Sequence, residues 1–174
     1  MSKYIKQINT QEDALYNSIL LLSRNKLFYT KFDLIDTFQN RIHLIFIHIS
    51  FIFIKIKQNN KDQMYKIFYQ KMFDLIFNNI ESNMREIGYG DAGINKNMRF
   101  LTKTFYNVLL RCEKYKIMKA EEKTIFFNKY LEQNNIKNIT NNKGIIEYFN
   151  EYAAFCFDLR SDSVLKGVLK FNFK

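Results

Sequence analysis

The sequence predicts an all-α protein, a single irregular bundle of about six helices spanning residues 1–174. Three observations carry that prediction. Ile94, Met98, Leu101, Phe105, Val108 and Cys112 recur at spacings of 4, 3, 4, 3 and 4, which puts six apolar side chains on one stripe of a helix from about Ile94 to Lys119. Phe68, Met72, Ile76, Ile80 and Met84 follow at steps of four within a helix expected over 62–87; steps of four drift round the axis, so that helix is apolar over a wide arc and must be deeply packed. Residues that cap helix starts stand upstream of the apolar patterns. No repeat and no internal linker divides the chain.

The elements follow in order. In "TQEDALYNSILLLSR", Thr10 can cap a first helix whose opening turn carries Glu12 and Asp13, where acids complement the helix dipole, and Leu15, Ile19 and Leu22 follow at helical spacing. "FYTKFDLIDTFQN" reads as a connection in which Asp36 or Thr37 can cap the next helix. That helix contains "IHLIFIHISFIFI" and runs to about Lys57; local alternation in "HISFIFIKIK" would equally permit a strand, which periodicity alone does not settle. The segment would be about 20 Å long as a helix, against roughly 30 Å of membrane hydrocarbon, and it contains His43, His48 and Ser50, so a buried core helix is favoured over a spanning one. "KQNNKD" is a polar break. Beyond the striped helix come a shorter helix near 121–132, an Asn/Lys-rich turn "QNNIKNITNNKG", a helix from Ile145 to about Asp158, and "SDSVLKG", a capped short helix stopped by Gly167.

With 174 residues, 47% of them hydrophobic, the chain can bury a substantial core, and disorder is excluded as its general state. Lys, Asn, Ile, Phe and Tyr are abundant while Pro and Trp are absent, the bias of an AT-rich genome, so the formal charge of +10 is partly codon usage. A basic surface still favours acidic partners such as RNA or anionic lipid headgroups. Cys112 and Cys156 form neither CxxC nor a metal cluster and read as reduced thiols, half buried in helices. The first residues carry neither the apolar core of a secretory signal nor the pattern of a transit peptide, which leads to an expected cytoplasmic location.

"GYGDAG", Gly88 to Gly93, fits the dinucleotide spacing GxGxxG, but that fingerprint requires an entering strand and a second strand ending in an acid. The entering stretch "NNIESNMREI" continues a helical pattern with a Glu81–Arg85 pair, and Glu113, at the right distance, lies within the following helix. No Gly-Lys-Ser/Thr follows for a phosphate loop. The expectation is therefore a helix–helix corner: Gly88 ends one helix in a left-handed cap, Gly90 allows the tight turn, Asp91 caps the outgoing amides or ligates Arg85, and Gly93 permits close approach at the new helix. No nucleophile–base–acid set is visible. His43 and His48 are five apart, not the four that pairs metal ligands on a helix, and His48 reads as a hydrogen-bonded core residue. No catalytic residue, cofactor or metal is expected.

The stretch "REIGYGDAGINKNMRFLTKTFYNVL", from Arg85 to Leu109, resembles the signature of the ubiquinol–cytochrome c chaperone family: R-E-x-G-x-G-D, then a basic residue, Met, a second basic residue and Phe-Tyr. Upstream, Phe28, Tyr29, Asp36, Thr37, Arg41, Ile42 and His48 match a second block of that family, and "LKGVLKF" resembles its closing L-x-G-x-L-x-F. The likeness runs from about Ala14. Asp33, Ile35, Asn40 and Asn107 stand where relatives often carry Gly or Pro. Without an import segment, a bacterial member is the natural reading.

The resemblance implies a non-enzymatic, all-helical assembly factor that helps newly made cytochrome b enter the cytochrome bc1 complex. Mitochondrial relatives work with a small partner protein near the ribosomal tunnel exit, so a small co-chaperone and the ribosome join the expected partners; DNA does not. Cytochrome b is a bundle of membrane helices, and before insertion it exposes apolar surface that a chaperone must cover. Aromatic and methionine side chains suit that task. The candidates are Tyr89 in the glycine corner, Tyr106 and Met98, with core packing as the competing role of Met98. Lys96, Arg99 and Lys103, with Arg85 nearby, form a basic face that is either solvated surface or a contact for ribosomal RNA, an acidic client loop or an anionic membrane. The last places the protein peripherally on the cytoplasmic face of the inner membrane.

Overall fold

The computed structural model describes residues 10–58, 63–134 and 142–173. Its helices are α1 (Gln11–Ser23), α2 (Leu27–Thr30), α3 (Phe38–Lys57), α4 (Gln63–Glu86), α5 (Asp91–Glu113), α6 (Ala120–Tyr130), α7 (Asn142–Asp158) and α8 (Ser161–Leu165), with a 3-10 turn at Tyr115–Ile117. Among the described residues the nearest thing to a strand is an isolated antiparallel bridge between Leu34 and Gln133. The fold is all-α, and six of its helices are long. Residues 59–62 of the expected polar break and most of the Asn/Lys-rich turn lie outside the described residues.

Local chemistry sets the helix ends. Thr10 Oγ1 accepts the Asp13 amide at 3.1 Å and starts α1. Thr37, not Asp36, caps α3: its Oγ1 accepts the Asn40 amide at 3.1 Å, while Asp36 is held in a two-pronged ion pair by Arg41 at 2.6 and 2.7 Å. The stretch expected as a plain connection contains α2, one turn long. Helix α5 begins at Asp91, ahead of Ile94, and stops at Glu113, after which the chain tightens into the 3-10 turn instead of continuing to Lys119. Helix α8 lacks the expected side-chain cap; its cap position is Arg160, which makes no capping hydrogen bond.

Fifteen of the twenty residues of α3 are buried, so it is apolar all round and must be covered on every side. Helices α1, α4, α5, α7 and α8 all touch it. That burial selects helix over strand for "HISFIFIKIK", because a helix satisfies its own amides wherever its side chains point. Its buried polar groups are partnered. His48 Nδ1 donates to Leu44 O at 2.7 Å and Nε2 accepts from the Tyr148 hydroxyl at 2.9 Å, which fixes the neutral tautomer. The Tyr152 hydroxyl donates to His48 O at 3.3 Å, a second tie between α3 and α7. Asn40 Nδ2 donates to Ile35 O and Glu132 O, and its Oδ1 accepts the Glu132 amide at 2.9 Å, which joins two loops that lie far apart in sequence. Among the described residues no helix is long and apolar enough to cross a membrane.

The glycine corner joins α4 to α5, with no strand entering it. Gly88 has φ +93°, its N–H donates to Arg85 O at 3.1 Å, and the Tyr89 N–H donates to Met84 O at 3.0 Å. These two bonds close a Schellman ending, which needs a left-handed residue at this position. The same arrangement ends α8 at Gly167, φ +70°, where an added Cβ would stand 2.5 Å from Gln11 O. The expected roles of Gly90 and Gly93 are corrected. Gly90 is extended (φ −75°, ψ 159°), a conformation any residue adopts, and Gly93 lies within α5, where a Cβ would make ordinary contact with Tyr89 Cδ1 at 3.8 Å.

Gly88→Ala is expected to destabilise the protein by about 1 kcal/mol, while Gly93→Ala stabilises it by up to about 1 kcal/mol by removing helix-breaking freedom. Urea unfolding followed by circular dichroism reads both. Equal effects of the two substitutions would contradict the assignment of the turn to Gly88.

Candidate functional site

Arg85 closes the corner electrostatically. Its Nη1 donates to Asp91 Oδ1 at 2.6 Å and its Nη2 to Glu81 Oε1 at 2.9 Å, so one guanidinium ties the last turn of α4 to the first residue of α5. Asp91 is therefore the Arg85 partner and not the cap: the N-cap of α5 is Gly90, and no side chain bonds there. As an acid in the first turn, Asp91 still complements the helix dipole. Between the glycines, Tyr89 leaves 44% of its surface open to solvent.

Helix α5 divides as its sequence predicts. Ile94, Leu101, Phe105, Val108 and Cys112 are buried, and Met98, on the same stripe, is partly buried against the core, so core packing describes it. Lys96, Arg99 and Lys103 are exposed on the outer face. Phe100 and Leu110, 58% exposed each, lie on that face as well, as does Tyr106 at 46%, which also stacks on Phe73 with centroids 6.0 Å apart. Phe100 and Leu110 were missed in the sequence reading. Their signal was present: Phe100, Lys103, Asn107 and Leu110 recur at 3, 4 and 3, opposite the buried stripe. From Asp91 to Tyr106 the candidates extend about 22 Å along one helix. They form a ridge of cations and apolar side chains and do not converge on a cavity.

That arrangement has no acid–base or nucleophilic geometry. Burial pushes the thiols of Cys112 and Cys156 up, the latter to about 12, which leaves both protonated and inert; both are fully buried, not half buried as expected. His43 Nδ1 donates to Tyr130 O while its Nε2 meets Gln39 Nε2 at 2.8 Å, and desolvation lowers its pKa. Among the described residues no three His, Cys, Asp or Glu side chains are placed to hold a metal.

The described residues form an all-α scaffold whose buried side-chain polar atoms are paired except for the Tyr115 hydroxyl, with a mixed basic–apolar ridge exposed along α5. The chain belongs to the ubiquinol-cytochrome C chaperone family, whose sequence pattern matches residues 30–171. That match takes in the glycine corner, α5 and the closing "LKGVLKF"; it begins later than Ala14, leaving Phe28 and Tyr29 just outside. A crystal structure of the Cbp3 homolog from Brucella abortus superposes with a TM-score of 0.80 over 94% of this chain and 89% of that one, at 19% identity, and so has the same fold. No curated protein matches the sequence. Membership of a chaperone family implies a non-enzymatic role.

Desolvation lowers the pKa of His48 from 6.5 to about 4. Because the unfolded chain takes up this proton more readily than the folded one, the neutral, buried His48 contributes stability above pH 6.5 that is lost as pH falls toward 4, at most roughly 3 kcal/mol. The fall in melting temperature across that window is expected to be smaller in His48→Gln than in the parent chain, by differential scanning calorimetry. Parallel curves would show that His48 does not titrate on unfolding.

Proposed function

We propose that this protein is a non-enzymatic assembly chaperone that binds newly made cytochrome b and promotes assembly of the cytochrome bc1 complex. The observation that carries the reading is the uncovered face of α5, where Phe100, Tyr106 and Leu110 stay exposed among Lys96, Arg99 and Lys103. A membrane helix outside its bilayer presents apolar surface flanked by polar loops. Aromatic side chains cover such surface, and cations meet acidic loops. Tyr89, held at the corner by the Gly88 ending and the Arg85–Asp91 pair, extends the same ridge. The work is done at the cytoplasmic face of the inner membrane, where the client is inserted, with a small co-chaperone or the ribosome as further partners.

Deletion of the gene, followed by haem-b and haem-c difference spectra of membranes, tests the role. Loss of the bc1 signals is expected, and unchanged spectra would overturn it. Tyr89→Ala combined with Tyr106→Ala is expected to leave the melting temperature within about 2 °C while lowering cytochrome b recovered by co-purification after nuclease treatment.

The three cations favour a second reading, a ribosome- or RNA-binding adaptor. Neutralising three phosphates would give binding to single-stranded RNA a log–log salt slope near roughly −2. Binding that ignores salt, or no binding, removes that reading.

A further inference from the structure

At the far end of α5 from the glycine corner, the last turns of α3 and α5 and the first two turns of α4 line an open pocket of about 280 Å³. Its walls are mostly carbon, from Phe53, Ile56, Tyr65, Tyr69 and Leu109, with the Phe53 and Tyr69 rings 4.1 Å apart. Phe53, Ile56 and Tyr65 are buried and form the floor. The charged lining residues are more exposed and therefore form the rim. Lys57 Nζ pairs with Glu113 Oε1 at 2.7 Å, and Lys66 stands exposed on α4, so among the described lining residues two cations face one carboxylate. Nothing in the α5 ridge or in the glycine corner uses this cavity.

An apolar cavity at the small end of ligand pockets, under a net cationic rim, suits one alkyl chain ending in an anion. It is too small for both chains of a phospholipid. A docked apolar helix would meet the charged side chains of Lys57, Lys66 and Glu113 at the opening before it reached the cavity. We propose that the pocket binds a single-chain fatty acid, its alkyl chain against Phe53 and Leu109 and its carboxylate at Lys57 and Lys66. The carboxylate then competes with Glu113 for Lys57.

Calorimetric titration of the full chain with hexanoate, octanoate and decanoate, below their micelle concentrations, is the test. Affinity is expected to rise about fourfold with each added methylene until the pocket is full. Leu109→Trp fills the cavity and abolishes binding, with circular dichroism confirming the fold. Lys66→Glu, on the surface, weakens decanoate several-fold and leaves decyl maltoside unchanged, and Glu113→Gln strengthens decanoate. Affinity independent of chain length, or unchanged by Leu109→Trp, overturns the site. Equal binding of decanoate and decyl maltoside overturns the role of the lysines. Binding only to anionic vesicles, indifferent to Leu109→Trp, would assign the attraction to the basic ridge, and shifts of the Leu109 methyl resonances by an apolar helical peptide but not by decanoate would make the pocket a protein-anchoring site. None of these outcomes depends on cytochrome b.

Discussion

The fold is governed by one constraint: α3 has no face that tolerates water. Isoleucine and phenylalanine occupy almost every direction around its axis, and each such side chain contributes roughly 2 kcal/mol on full burial. A helix with one apolar stripe needs a single partner, whereas this one needs a complete sleeve. Helices α1, α4, α5, α7 and α8 supply it, the four longer ones by turning an apolar stripe inward and α8 through Val164. Isoleucine is a poor helix former because its branched Cβ restricts the side chain against the preceding turn. The helix persists because burial on every side outweighs that small penalty, and because among the described residues no strand stands ready to pair with the amides of an extended segment.

A polar group inside such a core is costly unless paired, and the pairing of those on α3 fixes how the sleeve is assembled. His48 is the clearest case. With one ring nitrogen bound to its own helix and the other accepting from Tyr148, it has no alternative orientation, and the bond sets the register of α7 on α3. Asn40 does the same for the loops. Its amide meets three backbone groups across the Leu34–Gln133 bridge, holding the segment before α3 against the end of α6. Asp33 beside it has φ +59°, a conformation that glycine adopts at no steric cost. The carbonyl and carboxylate of Asp33 bind Asn134, and Asn40 bonds two stretches of loop, so polar contacts hold a segment whose backbone includes this left-handed residue.

What could be read from the sequence follows the range of the physics. The α5 stripe was legible because a helix repeats locally, and every member from Ile94 to Cys112 faces inward. The Gly88 ending was legible because a left-handed cap is a property of three or four neighbouring residues. Gly90 and Gly93 were not, since a glycine's spacing does not reveal its φ. The pairing of Asp91 with Arg85, instead of with amides, turns on a distance of 2.6 Å that no spacing rule distinguishes from a cap. The outer-face apolar residues Phe100 and Leu110 were present in the pattern but ambiguous, because an apolar side chain announces burial until the surrounding elements are known. The pocket was wholly illegible: Phe53, Tyr69 and Leu109 meet only through the packing of three helix ends.

The same division would let one helix serve both stability and the recognition proposed for its outer face. The inner stripe of α5 fixes its position against α3, and the outer ridge, apart from the Tyr106 ring on Phe73, makes few core contacts, so its side chains can vary with little effect on folding. What the ridge does require is a fixed starting point. The Schellman bonds at Gly88 and the Arg85 bridge from Glu81 to Asp91 set the angle at which α5 leaves α4, and with it the direction of every outward side chain from Lys96 to Leu110. A binding surface carried on a loop would have to be ordered by its partner at an entropic cost. One carried on a helix whose other side is locked into the core presents its aromatics and cations already in place. The corner therefore sets direction: the glycines that match a dinucleotide spacing join two helices, and the left-handed Gly88 ends the first of them.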